Sequence, residues 1–436
     1  MPGQGGRRKS WIGEHSLRGF CMRRRNFLKA AGATGAAITL WITTDTNGLP
    51  HNIDTARMRG YLRSLMPSRE QVNNFVRGRQ GSEKLSRNQG WTFDSDLGWV
   101  LCDSIRPRSV DGSKGFYSYE TDGARRLVNL PDKPCRIHTY GNSFTHCDQV
   151  SDSETWQEYL AAHIREPIRN YGVGGYSVYQ AFRRMLKVEK ENGAEYIILN
   201  IWDDDHFRNL DSWRSIRFGH RTSCGFTLPY LQVNVQKERC KQIENICRKP
   251  EDVYKLCDED FIWQMFKDDP VLQLVFASGS DENVSKKPAR LVADSFGVAY
   301  AASIDTKVAQ RIREIHTKAA LYATQNVVTW TEQFVKKTGR KLMVILSFGH
   351  GNIAKELRGT PRFDQSFVNW LKEKPYPVID MRDFFCADYK RFKVDINTYL
   401  KRYYIGHHNP AGNFFTAWAL KNQIVEWLDP PPAPYR

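Results

Sequence analysis

Seven residues near the middle of the chain, Tyr196-Ile197-Ile198-Leu199-Asn200-Ile201-Trp202, form a nearly continuous apolar run. A strand with water on one face alternates apolar and polar residues, so an unbroken run is expected where both faces are covered. That arrangement needs helices on both sides of a parallel sheet, and the flanking sequence supplies them. Ser151-Asp152-Ser153-Glu154 has the form of a capping box. After it, Trp156, Tyr159, Leu160, His163 and Ile164 recur at helical spacing, with His163 read as a packed residue. Residues 167–171 read as a short strand. Residues 176–190 read as a helix with Val178, Phe182, Met185 and Leu186 inward. Downstream come a long helix near 305–338, a second apolar strand over 341–348 and a final helix over 414–428. Strand, helix, strand, helix, strand points to an α/β fold with a doubly wound parallel sheet.

Residues 206–304 interrupt that rhythm and are expected to form a mixed insertion, with a hairpin around 228–233 and helical pieces near 253–266. Residues 50–130 read as an N-terminal extension: a helical lead-in capped at Ser68, then an aromatic, glycine-containing stretch expected to form a β-rich cap. The core spans 131–428 and a proline-rich tail covers 429–436.

The first 49 residues carry an address. Arg24-Arg25-Asn26-Phe27-Leu28-Lys29 has the twin-arginine export pattern, and a mild apolar stretch, 30–42, follows. Met22 would be a more usual start than Met1. The stretch is too short and too rich in Gly, Ala and Thr for a good membrane span, so no integral span is expected in the mature chain. The reading implies the twin-arginine export machinery as a partner and a periplasmic or extracellular location. A net charge of +16 would suit nucleic acid, but beyond the N-terminus basic and acidic residues intermix, as in Arg183, Arg184, Lys187, Glu189, Lys190 and Glu191. That is a solvated helix face, and no nucleic-acid partner is expected.

There are nine cysteines. Cys224, Cys240, Cys247 and Cys257 cluster, and in an oxidising compartment they would form two bridges in one of three pairings or remain as buried thiols. No C-x-x-C occurs among them, which disfavours zinc. The acids Asp203-Asp204-Asp205 with His206 invite a hard cation, but adjacent carboxylates rarely converge on one ion. No metal or cofactor is expected.

Three blocks carry chemistry. Residues 136–145 end a short extended run in a tight turn, Gly141-Asn142-Ser143, which holds a serine where a strand meets a cleft. Asn170-Tyr171-Gly172-Val173-Gly174-Gly175 follows about thirty residues on. Gly406-His407-His408-Asn409-Pro410-Ala411-Gly412 comes late. A serine hydroxyl needs a base to become a nucleophile, and acyl transfer needs fixed donors for the oxyanion. His407, with Asn409 and Gly412 behind it, is the candidate base. His408 would line the cleft or point outward.

Together these blocks resemble the SGNH (GDSL-type) hydrolase family over about residues 90–428. The resemblance implies a doubly wound, flavodoxin-like core and an esterase that works through an acyl-enzyme. It makes Ser143 the nucleophile, and puts the backbone N–H groups of Ser143 and Gly175 in the oxyanion hole. Asn200 is the candidate third donor, because the segment 196–206 lacks the family's asparagine directly before its acids. An exported enzyme of this type would cleave acyl esters, an acetyl group on a glycan among them. The same serine chemistry would serve an acyltransferase, and a degenerate scaffold would bind glycans without cutting them. The family's acid two or three residues before the histidine is replaced by Tyr404 and Ile405. An orienting acid is therefore expected from Asp203, Asp204, Asp380 or Asp383, with a backbone carbonyl as the alternative.

Overall fold

The apolar run at 196–202 is the middle strand of a five-stranded parallel sheet. The protein is described by a computed structural model covering residues 55–77, 90–107, 109–219, 226–278, 287–300 and 307–436. The twin-arginine segment, Cys21 and Cys224 lie outside the described residues. The strands are β1 (Ile137–Tyr140), β2 (Arg169–Asn170), β3 (Tyr196–Trp202), β4 (Lys341–Ser347) and β5 (Val378–Asp380). Their spatial order is β2-β1-β3-β4-β5, and every pairing is parallel. Residues 196–201 of β3 and 342–347 of β4 are buried, as strands covered on both faces must be. The chain leaves β1 toward β2, then crosses back past β1 to β3. The order therefore reverses between β1 and β3, and in such sheets ligands bind outside the strands' carboxyl ends at that point.

The covering helices begin where the sequence indicates. Ser177 and Gln180 form a capping box that starts Val178–Glu191: the Gln180 N–H donates to Ser177 Oγ at 3.1 Å, and the Ser177 N–H donates to Gln180 Oε1 at 3.1 Å. Ser151 and Glu154 form the expected box ahead of Trp156–Ile164. Val178, Phe182 and Met185 are buried, but Leu186 is exposed, because the helix presents its buried face one position earlier. His163 is exposed as well, resting against Phe414 of the last helix at a ring distance of 6.1 Å. The long helix runs Val308–Thr338 and stops where Gly339 takes a left-handed φ of 69°. The final helix, Pro410–Trp427, starts four residues earlier than expected, with Asn409 Oδ1 accepting the Gly412 N–H at 2.9 Å.

The insertion carries the antiparallel hairpin Tyr230–Asn234 with Arg239–Ile243 and the helices Glu259–Phe266, Pro270–Ser278 and Lys287–Phe296. Cys240, Cys247 and Cys257 are free thiols, so the two-bridge reading of the cluster fails. Cys247 is fully packed as a small apolar residue. Residues 205–218 follow directly on the middle strand, and Asp205 and His206 are buried there, bonded by Asn142 and by Thr324 of the long helix.

The N-terminal extension holds the helices Thr55–Ser64 and Arg69–Arg77, the second capped by Ser68 as expected, and a pair of hairpins, Trp91–Asp94 with Gly98–Leu101 and Ser104–Pro107 with Lys114–Tyr117. It is more than a cap, since Trp99 is buried against Tyr176 at a ring distance of 5.6 Å.

Candidate active site

The turn after β1 needs glycine at its first residue. A Cβ on Gly141 would lie 2.2 Å from Thr145 Oγ1 and 2.5 Å from the Asn200 carbonyl. Asn142 caps the short helix Ser143–His146 by accepting the Phe144 N–H at 2.8 Å, while its amide nitrogen donates to buried Asp205 at 2.9 Å. Ser143 thus stands at the carboxyl end of β1, at the reversal point of the sheet. It is 5 % exposed, and its hydroxyl has no hydrogen-bond partner among the described residues.

Gly175 adopts φ 83°, a left-handed conformation that suits glycine. The peptide linking Gly174 to Gly175 is anchored from outside: Trp99 Nε1 donates to the Gly174 carbonyl at 3.2 Å. In a trans peptide the N–H points opposite to the C=O, so this bond aims the Gly175 N–H away from Trp99. The next carbonyl, of Gly175, accepts from Arg214 at 2.7 Å. The N–H groups of Ser143 and Gly175 have no acceptor among the described residues.

His407 reaches the same region. Its ring lies 5.1 Å from that of Phe144, the residue after Ser143. No hydrogen bond joins Ser143 Oγ to His407 among the described residues. Burial pulls the imidazole below its ordinary pKa, the Asp148 carboxylate raises it and Arg208 lowers it further. His408 does not point outward. It is buried among Tyr404, Phe144 and Phe385, and burial pushes its pKa down to about 3.

Among the described residues none of the four expected acids hydrogen-bonds His407. Asp203 accepts from the Gly349 N–H at 3.1 Å and the Asn352 amide at 2.6 Å. Asp204 is paired with Arg208 and Arg217. Asp380 caps the helix Met381–Tyr389 and pairs with Arg362. Asp383 lies in the first turn of that helix. The ring's partner is Gln149, whose Oε1 lies 3.1 Å from His407 Nδ1. The orientation of this amide is fixed. The same oxygen accepts the His407 backbone N–H at 2.8 Å, and Nε2 donates to the Ile405 carbonyl at 3.3 Å. An acceptor-only oxygen places the proton on Nδ1 and leaves the Nε2 lone pair free.

Asn200 sits within β3, opposite Ile345 and two residues before the strand ends. Its amide oxygen is buried without a partner, and no hydrogen bond links it to Ser143 among the described residues. The neighbouring acids point apart. While Asp203 and Asp204 face the partners above, Asp205 takes the Asn142 amide and the Trp202 N–H at 3.0 Å, and burial pushes its carboxyl up to about 7.

The loop 146–150 carries the residues that sequence reasoning missed. His146 bonds Asp148 through Nδ1 and the Tyr119 hydroxyl through Nε2 at 2.6 Å. Cys147 and Gln149 take left-handed φ of 63° and 76° without glycine. Buried Arg125 holds them there. Its guanidinium donates to Asp152 at 2.8 Å and to the carbonyls of His146 at 2.6 Å, Cys147 at 3.0 Å and Val150 at 2.5 Å. The one sequence signal was His146-Cys147-Asp148, an imidazole and a carboxylate within five residues of Ser143.

Residues 21–41 match the family model of the TAT (twin-arginine translocation) pathway signal sequence. The chain is therefore exported by the twin-arginine route, to the periplasm or the extracellular space. Among the described residues no helix is long and apolar enough to cross a membrane. No match to a curated protein was found. Replacing Arg24 and Arg25 together with lysine is expected to keep the protein in the cytoplasm, read by fractionation and immunoblot. Unchanged export would refute the role of the pair.

Proposed function

We propose that the protein is an exported serine hydrolase of SGNH type that cleaves acyl esters, with Ser143 as nucleophile and His407 as base. The observation that supports it best is the state of His407. Burial lowers its pKa, the Gln149 amide oxygen meets its Nδ1, and its ring packs on Phe144, the residue after a serine at the sheet's reversal point. Nε2 takes the Ser143 proton as Oγ bonds to the ester carbonyl carbon. The carbonyl π pair moves to oxygen, where the N–H groups of Ser143 and Gly175 receive it. Collapse expels the alcohol, which leaves with the proton from Nε2. Water then repeats the sequence on the acyl-enzyme and releases the acid. Acyl groups on glycans, acetyl included, are substrates that the compartment offers.

The test is turnover of 4-nitrophenyl acetate by the purified protein. Release of nitrophenolate supports the reading. No release, together with resistance to a fluorophosphonate, favours a scaffold that binds without cutting. A second variant probes the oxyanion peptide. Trp99→Phe keeps the buried ring and removes the donor to the Gly174 carbonyl. It is expected to lower kcat about 10- to 100-fold with KM little changed, because a misaimed donor is lost to the transition state. A kcat equal to wild type would show that Gly175 is aimed by other contacts.

A further inference from the structure

A serine triad's acid has two tasks. It holds the histidine in one tautomer, and it stabilises the imidazolium that forms when the serine gives up its proton. A neutral amide such as Gln149 performs the first and contributes little to the second. The chain places a carboxylate beside it. The Asp148 N–H donates to the Ser143 carbonyl at 3.0 Å, which ties Asp148 to the nucleophile's own turn. A Cβ on Gly174 would lie 3.1 Å from Asp148 Oδ2, so this oxygen lies against the oxyanion turn. Its other oxygen is engaged by His146, whose far nitrogen meets Tyr119.

We propose that the two tasks are divided between neighbours: Gln149 orients the His407 ring through its amide oxygen, and the Asp148 carboxylate supplies the negative charge that steadies the imidazolium. The proposal rests on the reading of Ser143 and His407 as nucleophile and base.

The surroundings keep that charge in place. Burial works against the Asp148 carboxylate. The charge and hydrogen bond of His146, with the fields of His407 and Arg106, outweigh burial and hold it well below the ordinary carboxylate range. Tyr117 and Tyr119 also lie within its field, and they stay neutral because burial raises them. His146 is itself pulled down by burial, against the opposing pull of the Asp148 charge and hydrogen bond. Around His407 the charged groups are Asp148, which favours the imidazolium, and Arg208, which opposes it. His408, whose charge His407 opposes, is kept neutral by burial. The geometry divides the acid's role because among the described residues Gln149 alone reaches Nδ1, while Asp148 is committed to His146.

The two residues should leave different signatures. Asp148→Asn keeps an acceptor for His146 and removes the charge. The acid limb of kcat/KM should move to lower pH by about one unit, the low end of what a nearby opposite charge does to a titration. Its kcat should fall at least tenfold. Gln149→Met keeps the length and removes the acceptor. Its kcat should fall on the order of a hundredfold, within what a positioned base supplies, with the acid limb little moved. Imidazole nitrogen NMR on the full chain reads the same claim without catalysis. The His407 proton should sit on Nδ1 in wild type, and its titration midpoint should drop in Asp148→Asn. An unchanged midpoint in that variant, a proton on Nε2 in wild type, or wild-type kcat in Gln149→Met would each overturn the division. An active Ser143→Ala would instead overturn the hydrolase reading, leaving the NMR result to judge the division on its own.

Discussion

Ser143→Ala is expected to lower ester hydrolysis on the order of 10⁶-fold in kcat, as loss of a serine nucleophile does where the triad works as a unit. The fold should be indifferent to the change. The Ser143 hydroxyl has no partner among the described residues, so no buried group is orphaned by its removal. Unfolding should shift by less than about 1 kcal/mol, the usual range for a substitution away from such features. The turn itself is held by other atoms: Gly141 for lack of space, Asn142 through its cap and its bond to Asp205. Steady-state kinetics with 4-nitrophenyl acetate beside a thermal melt separates the two effects. Retained turnover at an unchanged melting temperature would remove Ser143 from the chemistry.

His407→Ala is the second large effect, and its value lies in the combination. Without a base, Oγ keeps its proton, so the loss should approach that of Ser143→Ala. The double variant should be no worse than either single one, because groups acting as a unit fail together. Additive losses would mean that the two side chains serve different steps. The pH dependence carries a sign. The base works only when neutral, and burial sets its pKa below the ordinary imidazole value of 6.5. The acid limb of kcat/KM should therefore fall below pH 6.5, and activity should persist where an exposed histidine would already be protonated. A limb above 6.5 would mean that the Asp148 field outweighs burial.

The sheet was legible because it is made of apolar runs. Residues 196–201 and 342–347 have no alternation to misread, and Ser151 with Glu154 marks the entry to a helix by local chemistry alone. The turn that holds Ser143 was legible through Gly141, where the chain must turn in a crowded space. The partner of His407 was not. The search for a replacement acid followed strand ends, and Asp203, Asp204 and Asp380 do lie there, each engaged by a neighbour. Gln149 instead reaches the ring from a left-handed backbone that nothing local favours, held by a guanidinium from Arg125. Contacts made by a residue some twenty positions away leave no periodicity to read. The cysteine cluster misled for a related reason, since spacing says nothing of whether the thiols meet.

The central claim is that one hydroxyl, that of Ser143, is activated by His407. The most direct measurement is to react the protein with a fluorophosphonate and map the adduct by peptide mass spectrometry. A single phosphonylated peptide carrying the modification on Ser143, formed at neutral pH and lost in His407→Ala, is the expected result. Absence of an adduct, or an adduct on another serine, would contradict it.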